Sequence, residues 1–507
     1  MLDPIALSVL QSALAGVAEE MGAVLIRASF SSNIKERRDC SAALFDGAGR
    51  LVAQAEHIPV HLGAMPESVA AVMRLDPAPG DVFVLNDPYE GGTHLPDITL
   101  VSPIALEDLG IAGYAVTRAH HSDVGGMTPG SMPSSSTELF QEGLVIPPVR
   151  IVSGGEPVTD LLNLILANVR TPAIREGDLR AQTAANEVGV TRLKELAARY
   201  GSEVLVAAFD DVLDYAERGA RAAISKLPDG SYRAVEDLEG DGVVDTDIPI
   251  AVEVEIDGER MSIDFAGSAP AVAGNVNCPI AVTRSACYFA LRVVMPNDIP
   301  RNAGAYRPLT IRAPEGSVVN AQRPSAVVAG NVETSQRIAD VVLLALSQAA
   351  SLPAQGQGTM NNVVIGGTGW TYYETIGGGQ GGSAAGPGDS GVHVGMSNTL
   401  NTPIEALELE LPLRVEAQQL RYGSGGTGRH RGGDGVERTV RVLEQARLSL
   451  LTDRRAHSPQ GASGGGPGEQ GRNLVNGEVV PAKVDLTLAA GDVVTILTPG
   501  GGGFGRA

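Results

Sequence analysis

Residues 94–121, HLPDITLVSPIALEDLGIAGYAVTRAHH, contain the pattern on which both the fold and the candidate site depend. Two β-strand candidates, Ile98–Pro103 and Gly113–His120, follow one another after a short connection, and Asp81–Leu85 is a third candidate just before them. Neighbouring strands lie about 4.8 Å apart, so the beginning of one antiparallel strand adjoins the end of the next. The stretch therefore predicts a sheet in which polar residues at two strand ends come together.

Helices and a hairpin are predicted around these strands. Asp3 and Pro4 are suited to the N-cap and first turn of a long amphipathic helix, and Gly201 stands where a helix C-cap is expected. The predicted helices after the sheet are Pro172–Tyr200 and Val206–Leu227, and the predicted hairpin joins Ala42–Asp46 to Leu51–Ala55.

Beyond residue 228 the sequence changes character. Short alternating strands between residues 232 and 265 precede two apolar helical stretches, Ala281–Val294 and Val332–Leu352. From about residue 355 strand patterns alternate with glycine clusters such as GSGGTGRHRGG and TPGGGGFG. Because hydrophobic strands lie between the clusters, we interpret this part as folded rather than as a disordered tail.

These patterns predict an α+β protein with several domains, mixed helix and strand in the N-terminal half and β-rich, glycine-rich structure at the C-terminal end. Residues 1–228 are predicted to form an α/β domain with the candidate site, residues 229–354 a middle α+β domain, and residues 355–507 a glycine-rich, β-dominated domain.

Composition excludes several classes of function. The 507 residues carry 38 basic and 59 acidic side chains, a net charge of −21, which argues against nucleic acid or an anionic membrane as a partner. No uninterrupted apolar run of membrane-spanning length and no signal-peptide pattern appear, so neither a transmembrane nor a secreted protein is expected. Three cysteines without a CxxC pair predict a reduced, cytoplasmic protein.

Three of the eight histidines fall in the quoted stretch. His94 and Asp97 precede one strand, and His120 ends the other. Two imidazoles and one carboxylate suit a divalent Zn, Mn or Fe ion and leave coordination sites open. Strand alternation puts His120 and His121 on opposite faces, so we expect His120 to be the ligand and His121 or Asp123 to carry protons. The alternative is a set of ordinary loop and strand-end histidines.

Other polar residues are weaker candidates for a substrate pocket. His57 and His61 are four residues apart with a proline between them, and either could form a polar pocket wall. Asp178, Gln182 and Asn186 recur every four residues on one predicted helix, where they form either a cleft-lining face or a solvated stripe.

Several further motifs are interpreted as structural. Arg37, Arg38 and Asp39 could clamp an anion but favour a surface charge cluster. His393, His430 and His457 are interpreted as turn or surface residues. No GxxxxGK[ST] motif and no GxGxxG in a strand–helix context appear, so the sequence carries no recognisable nucleotide site.

Eight motifs in order resemble the hydantoinase B/oxoprolinase B family over essentially the whole chain. They include IPVHLGAMPESV, NDPYEGGTHLPDITLVSP, RAHHSDVGG, GDLRAQTAAN and TPGGGGFG. That family includes B subunits of N-methylhydantoinases and caprolactamases, the C-terminal half of 5-oxoprolinase and the metal-bearing subunit of acetone carboxylases. The resemblance implies a metal site of the form His-x-x-Asp with a histidine about 25 residues later, which corresponds to His94, Asp97 and His120, with His121 as the open alternative.

The resemblance also implies a division of labour between two subunits. A hydantoinase A-like partner with an actin-like ATPase fold binds ATP and phosphorylates the substrate carbonyl, and the B subunit completes the reaction with a divalent Mn, Zn, Fe or Co ion. The expected function is therefore that of a B subunit of an ATP-dependent cyclic-amide hydrolase acting on a hydantoin, 5-oxoproline or lactam. An acetone-carboxylase-like carboxylase and a non-catalytic scaffold remain alternatives, and the substrate, metal and stoichiometry stay open.

Overall fold

The structure, a computed structural model, describes residues 3–56, 58–61 and 63–507. Its α-helices, in chain order, are α1 (Pro4–Ala28), α2 (Ser32–Lys35), α3 (Met65–Met73), α4 (Leu139–Glu142), α5 (Thr159–Ala167), α6 (Pro172–Tyr200), α7 (Ser202–Ile224), α8 (Ile280–Val294), α9 (Ala303–Tyr306), α10 (Ser335–Leu346) and α11 (Ile404–Glu410). Short 3-10 helices cover Pro59–His61 and Pro88–Glu90, and one π-helical turn, Gly330–Thr334, runs directly into α10.

The strands fall into four sheets within the described residues. In chain order they are β1 (Cys40–Asp46), β2 (Leu51–Glu56), β3 (Val82–Leu85), β4 (Asp97–Leu106), β5 (Gly110–His120), β6 (Val149–Ser153), β7 (Glu156–Pro157), β8 (Gly230–Glu239), β9 (Asp247–Asp257), β10 (Arg260–Asp264), β11 (Leu309–Arg312), β12 (Asn362–Gly367), β13 (Trp370–Glu374), β14 (Leu413–Arg421), β15 (Gly435–Val442), β16 (Ala446–Leu451), β17 (Arg472–Val475), β18 (Glu478–Val480), β19 (Lys483–Leu488) and β20 (Val493–Leu497). Helix and strand account for 30% and 27% of the chain, which confirms the α+β class.

The first sheet has the order β2-β1-β5-β4-β3-β6-β7 and is antiparallel throughout. Helices α1 and α6 pack on one face around Leu14, Met21 and Leu193, and α3 covers the other face with Val69 and Val72. The central pair, β4 and β5, is therefore buried from both sides. This burial explains why the polar residues at its ends need partners within the protein.

Helix α1 illustrates how capping and burial fix an element. Asp3 Oδ1 accepts hydrogen bonds from the N–H groups of Ile5 and Ala6, as an N-cap should. With a mean hydropathy of 1.4 over 18 residues, α1 is long and apolar enough to cross a membrane. Glu19 and Glu20 interrupt its apolar sequence, and its inner face packs on β1, β2 and α6 as a core helix does.

The second sheet, β11-β10-β9-β8, packs on α8 and α10 around the largest core cluster. The predicted helical stretch Val332–Leu352 begins within the π-helical turn Gly330–Thr334 but is wrong at its C-terminal end, because α10 stops at Leu346. The segment after Leu346 instead forms turns that line a cavity described below.

The C-terminal part is a sandwich of two sheets, β13-β12-β16-β19 and β14-β15-β20-β17-β18. Ile365 and Leu448 from one sheet share a core with Val440 and Ile496 from the other. The glycine clusters between these strands are ordered extended segments joined by backbone hydrogen bonds, such as Gly501 N–H to the Gly433 carbonyl at 2.9 Å. The prediction of a folded C-terminal part is confirmed, and the boundaries between three domains stay a prediction.

Candidate metal centre

Three buried side chains meet where β4 begins and β5 ends. Nε2 of His94, Oδ1 of Asp97 and Nδ1 of His120 lie 3.2 Å from one another in each pair. Asp97 and His120 face each other in the β4–β5 register, and His94 lies in the turn that leads into β4. All three side chains are almost fully inaccessible to solvent. The strand order thus brings together the three residues that the sequence indicated.

These positions fit a single divalent cation. Two ligands at about 2.0–2.2 Å from one ion are about 3.0–3.5 Å apart at octahedral or tetrahedral angles. Oδ1 of Asp97 is buried without a hydrogen-bond partner. Nδ1 of His94 hydrogen-bonds to the Val328 carbonyl at 3.3 Å, which places the proton on Nδ1 and leaves the Nε2 lone pair facing the cluster.

The electrostatics of the cluster also favour ligand chemistry. Burial lowers the pKa of His120 to about 3, so its imidazole is neutral at physiological pH. Burial by itself would raise the pKa of Asp97, but the neighbouring imidazoles of His94, His120 and His61 hold that pKa well below its usual value. Asp97 is therefore an anion, as a metal-binding carboxylate must be.

The second oxygen of Asp97 is held by neighbouring side chains. Thr93 Oγ1 donates a 2.5 Å hydrogen bond to Oδ2, and Nε2 of His61 lies 3.4 Å from the same oxygen. Nδ1 of His61 is 2.9 Å from the Ser41 hydroxyl, so the imidazole is held at both nitrogens. These contacts hold the carboxylate through Oδ2 and leave Oδ1 available to bind a metal ion.

The imidazole of His120 is oriented from the C-terminal half of the chain. Its ring stacks on Tyr373 in β13, with 4.3 Å between centroids and 11° between planes. Tyr373 donates a 3.0 Å hydrogen bond to Asn362 Oδ1, and Arg37 binds the Tyr373 carbonyl at 3.0 Å while lying over its ring. A residue more than 250 positions away in sequence thus fixes a ligand of the candidate centre.

A small cavity of about 20 Å³ opens on the cluster. Asp39, Ile58, His61 and Asn331 are among its lining residues. The interpretation of residues 37–39 as a surface charge cluster is wrong for Arg37 and Asp39, both of which are buried, whereas Arg38 is exposed. Burial raises the pKa of Asp39 to about 7 against the opposing charge of Arg37. Asp39 therefore adds a carboxyl group to this cavity that sequence reasoning missed.

The predicted proton carriers lie elsewhere. Nε2 of His121 is 2.9 Å from Gln182 Oε1 on the α6 side of the sheet, and burial lowers its pKa to about 4. Asp123 accepts hydrogen bonds from the Gly125 and Gly130 N–H groups and from Arg170. Neither residue is among the described residues that line the cavity. Their catalytic roles stay predictions.

The polar stripe on α6 is buried rather than solvated. Asp178 accepts the N–H groups of Phe30 and Ser31, while Gln182 and Asn186 donate to backbone carbonyls of β4. These bonds attach α6 to the sheet, and the substrate-binding role assigned to the stripe stays a prediction. His61 does line the cavity, as a pocket wall would. His57 lies outside the described residues.

Known proteins resemble this chain over its full length. The sequence model described as hydantoinase B/oxoprolinase matches residues 3–507. An uncharacterized protein of Methanocaldococcus jannaschii is 43% identical, covering 99% of this chain and 91% of that protein. A putative B subunit of a D-/L-hydantoinase from Pseudomonas sp. strain NS671 is 32% identical, covering 100% of this chain and 90% of that protein. 5-Oxoprolinase 1 of Arabidopsis thaliana is 39% identical over 99% of this chain, which spans only 42% of that relative.

Two solved structures share the fold. The ATP-dependent caprolactamase from Pseudomonas jessenii superposes with a TM-score of 0.92 at 31% identity, covering 100% of this chain and 92% of that one. A nucleotide-free acetone carboxylase superposes with a TM-score of 0.89 at 20% identity, covering 100% of this chain and 76% of that one. At that identity the second comparison bears on the fold alone.

Proposed function

The chain belongs to the hydantoinase B/oxoprolinase family, and from this premise we propose that it is the B subunit of an ATP-dependent hydrolase of cyclic amides. The substrates belong to the hydantoin, 5-oxoproline or lactam class, whose ring amide is activated by phosphorylation. Hydrolysis is favoured over carboxylation because the relatives above 30% identity include a 5-oxoprolinase, a hydantoinase component and a caprolactamase.

One observation carries this proposal: three buried ligand atoms lie 3.2 Å apart beside a cavity. His94, Asp97 and His120 would hold the divalent cation. A bound Mn, Zn, Fe or Co ion supplies Lewis acidity, which lowers the pKa of water and prepares it for attack on an activated carbonyl. The protein's own contribution is to fix the tautomer of His94, the ring plane of His120 and the carboxylate of Asp97, and to surround the reaction with buried side chains that exclude bulk water.

A partner protein is part of the proposal. The sequence has no P-loop or dinucleotide-binding motif, so we place ATP on a hydantoinase A-like partner with an actin-like fold. The Pseudomonas relative is named as one component of a hydantoinase, which supports an enzyme of more than one kind of chain. The chain matches about two-fifths of 5-oxoprolinase 1, which fits a relative that combines both functions in one polypeptide. Three free, buried cysteines support a cytoplasmic location.

Reconstitution with such a partner tests the proposed function. We expect ring opening of a cyclic amide that requires both proteins, ATP and a divalent metal, with ADP formed in step. Addition of labelled bicarbonate and a ketone is expected to leave no label in the product. Incorporated label would identify a carboxylase instead. ATP-driven turnover that persists without metal after His94 and Asp97 are replaced by alanine would make this chain a non-catalytic scaffold for the partner.

His61 is expected to position Asp97 rather than to contact substrate. Replacing His61 by leucine removes the group beside Asp97 Oδ2 and is expected to weaken metal binding by about 10–100-fold. His61→Gln retains a donor and should recover part of the affinity. Competition titrations with a metal chelator measure both variants, and unchanged affinity in a folded His61→Leu protein would assign His61 to the substrate pocket alone.

A further inference from the structure

A second, much larger cavity lies directly behind the candidate centre. This chamber has a volume of about 900 Å³, within the range of small-molecule sites. One wall comes from α8, α10 and the segment after α10. It carries the apolar side chains of Phe289, Val293, Leu343, Leu344 and Leu352 beside polar ones that include Gln336, Asp340 and Gln348. The opposite wall is largely backbone of the glycine-rich segments.

Three chain segments separate the chamber from the small cavity. Pro59 faces the chamber, whereas its neighbours Ile58 and Val60 face the small cavity. Ser397 lines both spaces, with His393 on the chamber side and Thr399 on the cavity side. The third segment is the π-helical turn together with α10. Asn331 and Val332 line the small cavity, and Gln336 and Ala339, further along the same helical segment, line the chamber. The two spaces are therefore neighbours, and at Ser397 a single described residue lines both of them.

His393 closes this wall. Its Nδ1 is 2.7 Å from the Ser397 hydroxyl and its Nε2 is 3.3 Å from the Thr399 hydroxyl. The interpretation of His393 as a turn or surface residue is therefore incomplete, since the ring spans a partition between two cavities.

The chamber offers no counter-charge to an anion. Among the described residues that line it there is no lysine or arginine. Burial lowers the pKa of His393 to about 3, so its ring is neutral. The carboxylate of Asp340 lies 2.7 Å from Arg454 and 3.5 Å from Arg337, both in the protein behind the wall. An anionic group that enters this space would give up part of its hydration without gaining a cationic partner.

We propose that the chamber binds the non-reacting part of the substrate and selects cyclic amides whose ring substituent is uncharged and partly apolar over those that carry a carboxylate. The activated carbonyl lies at His94, Asp97 and His120. The substituent extends past Ser397 toward Leu343 and Val293 once the His393 imidazole has moved from its place between Ser397 and Thr399. This inference rests on the proposed function and narrows its substrate class from three possibilities to neutral hydantoins and lactams.

Two matched substrate pairs test the inference with the reconstituted enzyme. 5-Isobutylhydantoin is compared with 5-carboxymethylhydantoin, and 5-methyl-2-pyrrolidinone with 5-oxoproline. We expect kcat/KM to be at least about 100-fold higher for the neutral member of a pair. Leu343→Lys places a cation in the chamber and should reduce this ratio by about tenfold or more, whereas Leu409→Lys, at an exposed leucine outside the chamber, should leave it unchanged.

Val293→Lys repeats the test from α8 in case Leu343→Lys does not fold. A preference for the carboxylate substrates, or a ratio that neither folded lysine variant changes, would overturn the inference. If the wild-type complex opens no cyclic amide, the proposed function fails, and calorimetric binding of 5-isobutylhydantoin to this chain then decides the inference separately. Binding that Leu343→Lys weakens and Leu409→Lys does not would support the chamber, and absence of binding would refute it.

Discussion

Replacing Asp97 by asparagine is expected to reduce ATP-driven turnover by about 1,000-fold or more and to remove stoichiometric divalent metal from the purified protein. The change keeps the size of the side chain but removes the charge that neutralises a cation between His94 and His120. An amide in place of Oδ1 would also bring an N–H group toward the imidazole nitrogens. Metal content by mass spectrometry and turnover with saturating ATP measure the two effects.

Asp81→Asn is the matched control for this change. Asp81 is also a buried aspartate beside the first sheet, where it accepts bonds from Arg150 and from the Gly154 N–H group, outside the candidate centre. Its replacement should lower the stability of the fold and leave the metal content intact. If Asp97→Asn retains full metal content and turnover, the ligand set proposed above is wrong.

Replacing Gly432 by alanine is expected to destabilise the C-terminal sandwich by about 3 kcal/mol. A Cβ atom at position 432 would lie 1.9 Å from the carbonyl oxygen of Gly501. That oxygen belongs to another extended segment, which is itself bonded to the Gly426 N–H group and cannot move independently. The added methyl group therefore forces backbone segments apart rather than displacing a flexible side chain.

Gly386→Ala provides the comparison within the same glycine-rich part. A Cβ atom at position 386 would have no neighbour within 4 Å, so this variant should differ from the wild type by less than about 0.5 kcal/mol. Trp370, the only tryptophan in the sequence, lies in β13 and provides a fluorescence signal for urea unfolding of this region. Equal urea midpoints for Gly432→Ala and Gly386→Ala would show that the fold can accommodate a methyl group at position 432, contrary to this prediction.

Local sequence signals predicted the elements whose determinants lie within a few residues of one another. The helix Pro172–Tyr200 has the predicted bounds, because Pro172 begins it and Gly201 ends it. The hairpin of β1 and β2 and the strand pair β4–β5 were predicted from alternation and short connections. The pairing of β12 with β16, some 85 residues apart, could not be predicted in this way, because no local pattern specifies a distant partner.

The same limit applies to the candidate centre. His94, Asp97 and His120 could be identified because they lie within 27 residues at the ends of adjacent strands. Tyr373 and Asn331 reach the cavity from distant parts of the chain, and no spacing in the sequence connects them to it. Asp39 was considered in the sequence analysis, but its charged neighbours Arg37 and Arg38 suggested a surface position. Its burial beside the cavity follows only from the fold.

Anomalous diffraction from crystals of the purified protein tests the proposed metal centre most directly. We expect one strong peak between β4 and β5, at about 2.0–2.3 Å from Nε2 of His94, Oδ1 of Asp97 and Nδ1 of His120. The absence of a peak there in protein that turns over cyclic amides, or an ion bound by a different set of side chains, would contradict the proposed centre.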